Sequence, residues 1–213
     1  MLLVGQYDSP FVRRVAVSLH WLGMPFTRNT LSVFSDAAAM RKINPLGRVP
    51  ALILDDGETL IDSAAILDYL DATVGPKRAL LPPQGAARRD ALRTIAVATG
   101  GMDKAVAIVY ERFLRPPTAR HHPWVDRCQI QVKEALVYLN RQPMAEQLAN
   151  GRTPQAAFTT ACLLSFLNLR VPDAFPEGQY PALDHLATLA ETLPAFKSTL
   201  PSDTDTAPGA AKV

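Results

Sequence analysis

Leu80-Leu81-Pro82-Pro83-Gln84-Gly85 divides this chain into two parts that need different architectures. Two prolines and a glycine in so short a stretch end any helix or strand that reaches them. Before the break, short apolar runs alternate with helical spacing, whereas after it no strand pattern recurs. The fold class is therefore read as α/β plus all-α. We place a first domain at 1–75, a linker at 76–86, an all-helical domain at 87–201 and a frayed tail at 202–213. That tail is small, polar and alanine-rich, with too little apolar surface to offset its ordering entropy.

Leu2 to Gln6 reads as a strand, and Phe11, Val12, Val15, Leu19 and Leu22 then recur at helical spacing until Gly23 and Pro25 stop them. Phe26 to Leu31 reads as a second strand, and Ser35 to Lys42 as a short helix. Ala51 to Leu54 and Thr59 to Ile61 form a hairpin around Asp55-Asp56-Gly57. Ser63 is expected to cap a helix carrying Ile66, Leu67 and Leu70 and ending near Gly75. The resulting order is β-α-β-α-β-β-α. Beyond the linker we expect helices at 87–114, bent at Gly100-Gly101, and at 123–140, 153–169 and 181–193. Thr153 before Pro154 suits a helix cap, although Ala156 cannot complete a capping box.

The chain has 213 residues, 48% of them hydrophobic, and 22 basic against 20 acidic groups give it a net charge of +2. No strong field draws it to nucleic acid or an anionic membrane. Gln6, Tyr7 and Asp8 interrupt the apolar start well short of a secretory or spanning length, which leads to the expectation of a cytoplasmic protein. Cys128 and Cys162 sit among apolar neighbours in helical patterns and are expected to be packed thiols in a reducing compartment. His121-His122 in a loop, with His20 and His185 elsewhere, gives no metal-ligand spacing. Neither a phosphate-cradling glycine loop nor a nucleophile elbow is present.

Three segments carry the chemistry: Ser9-Pro10-Phe11, then Asn44-Pro45-Leu46-Gly47-Arg48-Val49-Pro50, then Asp62-Ser63-Ala64-Ala65-Ile66. In this order they resemble the glutathione transferases, in particular the bacterial branch with Ser-Pro-Phe at the first helix. The resemblance covers nearly the whole chain. It implies a thioredoxin-like N-terminal domain with a mixed four-stranded sheet, followed by a helical-bundle domain. It also implies glutathione as co-substrate, a small hydrophobic electrophile or a peroxide as acceptor, a homodimer, and a cis Val49–Pro50 bond.

The thiolate, not the thiol, attacks an electrophile. Ser9, at a helix start with free N–H groups, is the first candidate to hold that anion, and Tyr7 is the alternative hydroxyl. Ser9 before Pro10 also suits an N-cap with no ligand, and Tyr7 also suits a half-buried strand position. The resemblance assigns main-chain pairing with the cysteinyl residue to Val49 beside Pro50. It assigns the γ-glutamyl carboxylate to Ser63 and the amino group to Asp62. Most relatives carry glutamate where Asp62 stands. Phe11 joins the glutathione contacts, and Arg48 can meet the glycyl carboxylate or remain solvated. The electrophile pocket is expected to be lined by Tyr7, Phe11, Met102, Val106 and Tyr110, a helical stripe that also reads as core. Arg112 and Arg115 can attract an acidic co-substrate or simply complement a helix end.

Relatives that exchange disulfides place cysteine at the position of Ser9, sometimes with another at Val12. Neither is cysteine here, which leaves the chemistry to glutathione itself. Two other readings remain open: a non-catalytic glutathione-binding or protein-interaction module, and a glutathione-dependent isomerase or dehalogenase.

Overall fold

The computed structural model describes residues 1–151, 154–202 and 205, and the chain divides into two compact units. The first unit joins Met1–Leu80 to the described residues of Leu193–Ala207, and the second holds Leu81–Thr192. In the first unit run β1 (Leu2–Val4), α1 (Pro10–Leu22), β2 (Thr27–Asn29), α2 (Ala37–Ile43), β3 (Ala51–Ile53), β4 (Thr59–Ile61) and α3 (Ser63–Val74). The second carries α4 (Gly85–Phe113), α5 (His122–Leu139), α6 (Met144–Ala149), α7 (Gln155–Arg170) and α8 (Pro181–Thr192). The short α9 (Pro194–Lys197) returns to the first unit, where it packs on α1.

The sheet order is β2-β1-β3-β4, with β1 parallel to β2 and the other pairs antiparallel. The mixed four-stranded sheet is thus present, with shorter strands than the apolar runs suggested. β1 stops at Val4 because Gly5 takes φ +134, outside the strand region for a side-chain-bearing residue. Val4 and Ala51 pack with Met40 of α2 on one face of the sheet. By strand alternation Leu3 and Leu52 face the other way; both are fully buried. Over β3 and β4 lies α3, which also contacts α1.

α1 follows from its sequence: Pro10 at the first turn needs no N–H partner, and Gly23 at φ +64 accepts the left-handed turn that ends the helix. The cap of α3 corrects the sequence reading. Asp62, not Ser63, occupies the N-cap and accepts the Ala64 N–H at 2.8 Å, leaving Ser63 as the first helical residue. Either side chain can cap, and the turn leaving β4 decides which one does.

In the helical unit, α4 begins at Gly85 and continues unbroken through Gly100-Gly101, where a bend was expected. Gly101 serves packing instead. A Cβ there would stand 3.0 Å from Leu163 Cδ2 and 3.4 Å from Ala135 Cβ, so glycine lets α7 and α5 close onto α4. α7 is buried on nearly every side, and its Thr159 and Thr160 hydroxyls are satisfied by the Gln155 carbonyl and the Met144 sulfur. The expected Thr153 cap lies outside the described residues. Asn140 Oδ1 accepts the Ala182 and Leu183 N–H groups at 3.0 and 3.3 Å, fixing the start of α8. Among the described residues no helix is long and apolar enough to cross a membrane.

The C-terminal stretch departs most from expectation. Residues from Leu193 to Asp205 were divided between the helical domain and a frayed tail, yet the described ones belong to the strand-bearing unit. Phe196 is fully buried there, and Ser202 and Asp205 are joined by hydrogen bonds of 2.9 Å. Composition weighs apolar area and misses a single buried carboxylate. The rest of the 202–213 stretch lies outside the described residues.

Candidate functional site

One row of the sheet gathers the three sequence segments. Val4 pairs with Ala51, and Ala51 pairs with Ile61. Because β3 runs antiparallel to both neighbours, the exit of β1 toward Ser9, the entry to β3 from Val49-Pro50 and the exit of β4 into Asp62-Ser63 share one end of the sheet. Segments separated by some fifty residues of sequence are thereby brought together by register alone.

Each segment is fixed locally. Ser9 caps α1 with extended backbone, and its Oγ accepts the Val12 N–H at 3.4 Å. That bond uses an oxygen lone pair, so the hydroxyl proton remains available to donate. Asn44 is buried and spans the next loop, donating from Nδ2 to the Arg48 carbonyl at 2.7 Å and accepting the Leu46 N–H at 3.0 Å. The loop then enters β3 through a cis Val49–Pro50 bond, as the resemblance implied. Val49 is half-buried, whereas Arg48 and Asp62 are exposed. Asp62 is the only side-chain-bearing residue at positive φ among the described residues, at φ +68, a conformation that costs about 1–3 kcal/mol. Its carboxylate and the buried Ser63 hydroxyl open α3, whose first N–H groups have no intrahelical acceptor. Two helix N-termini at one end of a sheet can hold two anionic groups, and a carboxylate beside them can hold a cation.

Residues 3–78 match the family described as glutathione S-transferase, N-terminal domain. Over 200 residues, 91% of this chain and 93% of the relative, the sequence is 30% identical to the uncharacterised GST-like protein YibF of Escherichia coli K12. The chain belongs to the glutathione S-transferase family. A family member from Pseudomonas fluorescens Pf-5, crystallised with bound glutathione, superposes with a TM-score of 0.84 at 35% identity, over 94% of this chain and 98% of that one. The maleylacetoacetate isomerase of Pseudomonas aeruginosa is 37% identical over 86 residues, 38% of this chain and 40% of that protein.

In this glutathione S-transferase family member, Tyr7 and Ser9 have different surroundings. Tyr7 is buried, and its ring lies 3.8 Å from the Arg28 guanidinium carbon. Burial raises the Tyr7 hydroxyl above the usual phenol range; Arg28 opposes this and Asp205 adds to it. Phe11 is half-buried at the first turn of α1. Met102, expected along the pocket, is fully buried on α4. Val106 is half-buried and Tyr110 is 42% exposed.

The transferase's helix-end arginines are paired. Arg112 forks onto both oxygens of Asp173 at 2.7 Å, and Arg115 meets Glu111 at 2.7 Å. Cys128 and Cys162 are buried without a disulfide, and burial is the main cause that pushes the Cys128 thiol up. Among the described residues no group of three or more His, Cys, Asp or Glu could hold a metal ion. Sequence reasoning missed Gly5, Arg28 and Asp205. Gly5 had a signal, an isolated glycine ending an apolar run; Arg28 and Asp205 are single charges in unpatterned surroundings and had none.

Proposed function

We propose that this chain is an enzyme that binds glutathione, lowers the pKa of its thiol at Ser9 and joins the sulfur to a small electrophile. The observation that carries the reading is the Val4–Ala51–Ile61 row, which sets the Ser9, Val49 and Asp62-Ser63 segments at one end of the sheet. Val49 offers its backbone edge to the cysteinyl residue, as one strand pairs with another. The start of α3 with Ser63 receives the γ-glutamyl carboxylate, and Asp62 receives the amino group. Phe11 and Arg48 flank the tripeptide, with Arg48 toward the glycyl carboxylate. The family relative crystallised with bound glutathione supports glutathione as the ligand.

A free thiol titrates near pH 8.5, and lowering it by about two units needs roughly 2.7 kcal/mol of preference for the anion. A helix N-terminus contributes about 0.3–1 kcal/mol and a hydrogen bond to a charged group about 1.5–3 kcal/mol, together enough. The thiol proton leaves to solvent. The sulfur lone pair then forms a carbon–sulfur bond while the leaving group departs with its electron pair. With a hydroperoxide, sulfur attacks the terminal oxygen, the O–O bond breaks to release an alcohol and leave a glutathione sulfenic acid, and a second glutathione displaces its hydroxyl as water to give the disulfide. Ser9 is preferred to Tyr7 because the Tyr7 ring is engaged by Arg28.

The homodimer, the cytoplasmic location and the hydrophobic acceptor belong to the same reading. Retention on immobilised glutathione, with turnover of an aryl halide or a hydroperoxide, is the expected result. Retention without turnover would favour a binding module, and loss of both rejects the reading. An isomerase is the second reading, favoured by the likeness to maleylacetoacetate isomerase; isomerisation of a cis-enediketone with no net consumption of glutathione would select it.

A further inference from the structure

We infer that Asp205 is a positioning residue for the thiolate site, a role that rests on the Ser9 reading above. Its carboxylate is 2% exposed and uses both oxygens. Oδ1 accepts the Tyr7 backbone N–H at 2.8 Å and the Arg28 guanidinium at 2.7 Å. Oδ2 accepts the backbone N–H and the hydroxyl of Ser202, each at 2.9 Å. The Arg28 carbon in turn lies 3.8 Å from the centre of the Tyr7 ring. Tyr7 is thus gripped twice, through its main chain by Asp205 and through its ring by the cation that Asp205 neutralises.

Tyr7 sits inside the turn that delivers Ser9. The Ser9 N–H closes this turn on the Gln6 carbonyl at 3.1 Å, and on the sheet side the Gly5 N–H is held by the Asn29 carbonyl at 2.8 Å. Between these anchors, the Tyr7 N–H is held from 198 positions away in sequence. Anchoring the C-terminal residues does not require a buried charge, since Phe196 does so with apolar area. A carboxylate taken out of water is costly unless donors surround it, and here they fix the one loop whose position sets the Ser9 hydroxyl. A hydroxyl that must meet a sulfur anion has to be held within about half an ångström, which is what a rigid turn provides.

The test compares full-length wild type with Asp205→Ala, Asp205→Asn and Ser9→Ala. Thiolate absorbance of bound glutathione is titrated against pH, alongside kcat and KM for an aryl halide. Asp205→Ala is expected to raise the bound thiol midpoint by about half a unit or more, and to lower kcat about tenfold with KM for glutathione within about twofold. Asp205→Asn retains an acceptor for the Tyr7 N–H and is expected to recover most of both. A merely structural anchor would lower Tm in Asp205→Ala and leave the thiol midpoint unchanged; that result overturns the inference. If wild type shows no depressed thiol midpoint, or Ser9→Ala leaves it unmoved, the Ser9 reading fails and this inference falls with it. Should Asp205→Ala not fold, Arg28→Met removes the cation from the clamp and carries the same expectation at smaller size. An unmoved midpoint in that variant also overturns it.

Discussion

Gly5 and Val49 meet across the end of the sheet so closely that a Cβ on Gly5 would stand 3.0 Å from the Val49 Cβ. On its other side the same Cβ would reach 2.5 Å from Val12 Cγ2 of α1. Val12 belongs to the first turn of the helix that Ser9 caps, and Val49 belongs to the loop proposed to pair with the tripeptide. Gly5 therefore sets the spacing between the proposed sulfur donor and the proposed peptide-binding edge.

Gly5→Ala is expected to destabilise the protein by about 2–3 kcal/mol, since it combines a positive φ with two close contacts. The denaturant midpoint measures this. Glutathione affinity should fall together with stability, because Val49 and Val12 must separate to admit a methyl group. A variant of unchanged stability and affinity would show that the close approach is not needed.

Ser9→Ala should leave stability nearly intact while removing activity. Its cap bond is long, 3.4 Å, so the loss should lie at the low end of the capping range, about 0.5 kcal/mol. If a serine cap were its whole contribution, kcat would be unchanged. We expect kcat/KM to fall about 25-fold at pH 7, the loss of thiolate when a midpoint about two units below 8.5 returns to the free value. Thermal unfolding and steady-state kinetics on one preparation separate the two roles.

Asp62→Gly isolates recognition from folding. Glycine relieves the φ +68 conformation but gives up the 2.8 Å bond to the Ala64 N–H, so the two changes in stability should offset to within about 0.5 kcal/mol. The loss of a carboxylate facing the glutamyl amino group should still weaken glutathione about tenfold, or about 1.4 kcal/mol. Calorimetry and a melting curve decide this; unchanged affinity would remove Asp62 from the site.

The Arg112–Asp173 fork makes a pH prediction in the helical unit. Arg112 hydrogen-bonding holds the Asp173 carboxyl below the usual carboxylate range. The folded state therefore binds this proton less readily than the unfolded chain does. The stabilisation is complete above the unfolded value near pH 3.9 and disappears as pH falls through the lower folded value. Asp173 is half exposed, so solvent limits the pair to about 0.5–1 kcal/mol. Asp173→Asn should lose this at pH 7 and nothing near pH 2; a deficit that persists in acid would indicate packing rather than charge.

The sequence marked the elements that local chemistry specifies. The Ser9-Pro10 start and Gly23 stop of α1 and the hairpin around Asp55-Asp56-Gly57 can be read from a few adjacent residues, and so can the four longer helices of the second unit, whereas the short α6 was not foreseen. The resemblance supplied the cis Val49–Pro50 bond, which no local pattern required. What remained hidden was set by distant partners. Met102 lies on a helical stripe that spacing alone reads equally as pocket or core, and its full burial is a property of the packing around α4. Asp205 lay in an alanine-rich stretch, and Tyr7 and Arg28, far away in sequence, join Ser202 in giving its charge a buried place. Ser63 and Asp62 were equally able to cap α3, and the turn from β4 chose between them.

The direct measurement is a pH titration of the thiolate absorbance of glutathione bound to the wild-type protein. The account predicts half-ionisation about two units below the free thiol, and a return toward the free value in Ser9→Ala. A bound thiol that titrates like free glutathione in well-folded protein, or no binding at millimolar ligand, would contradict it.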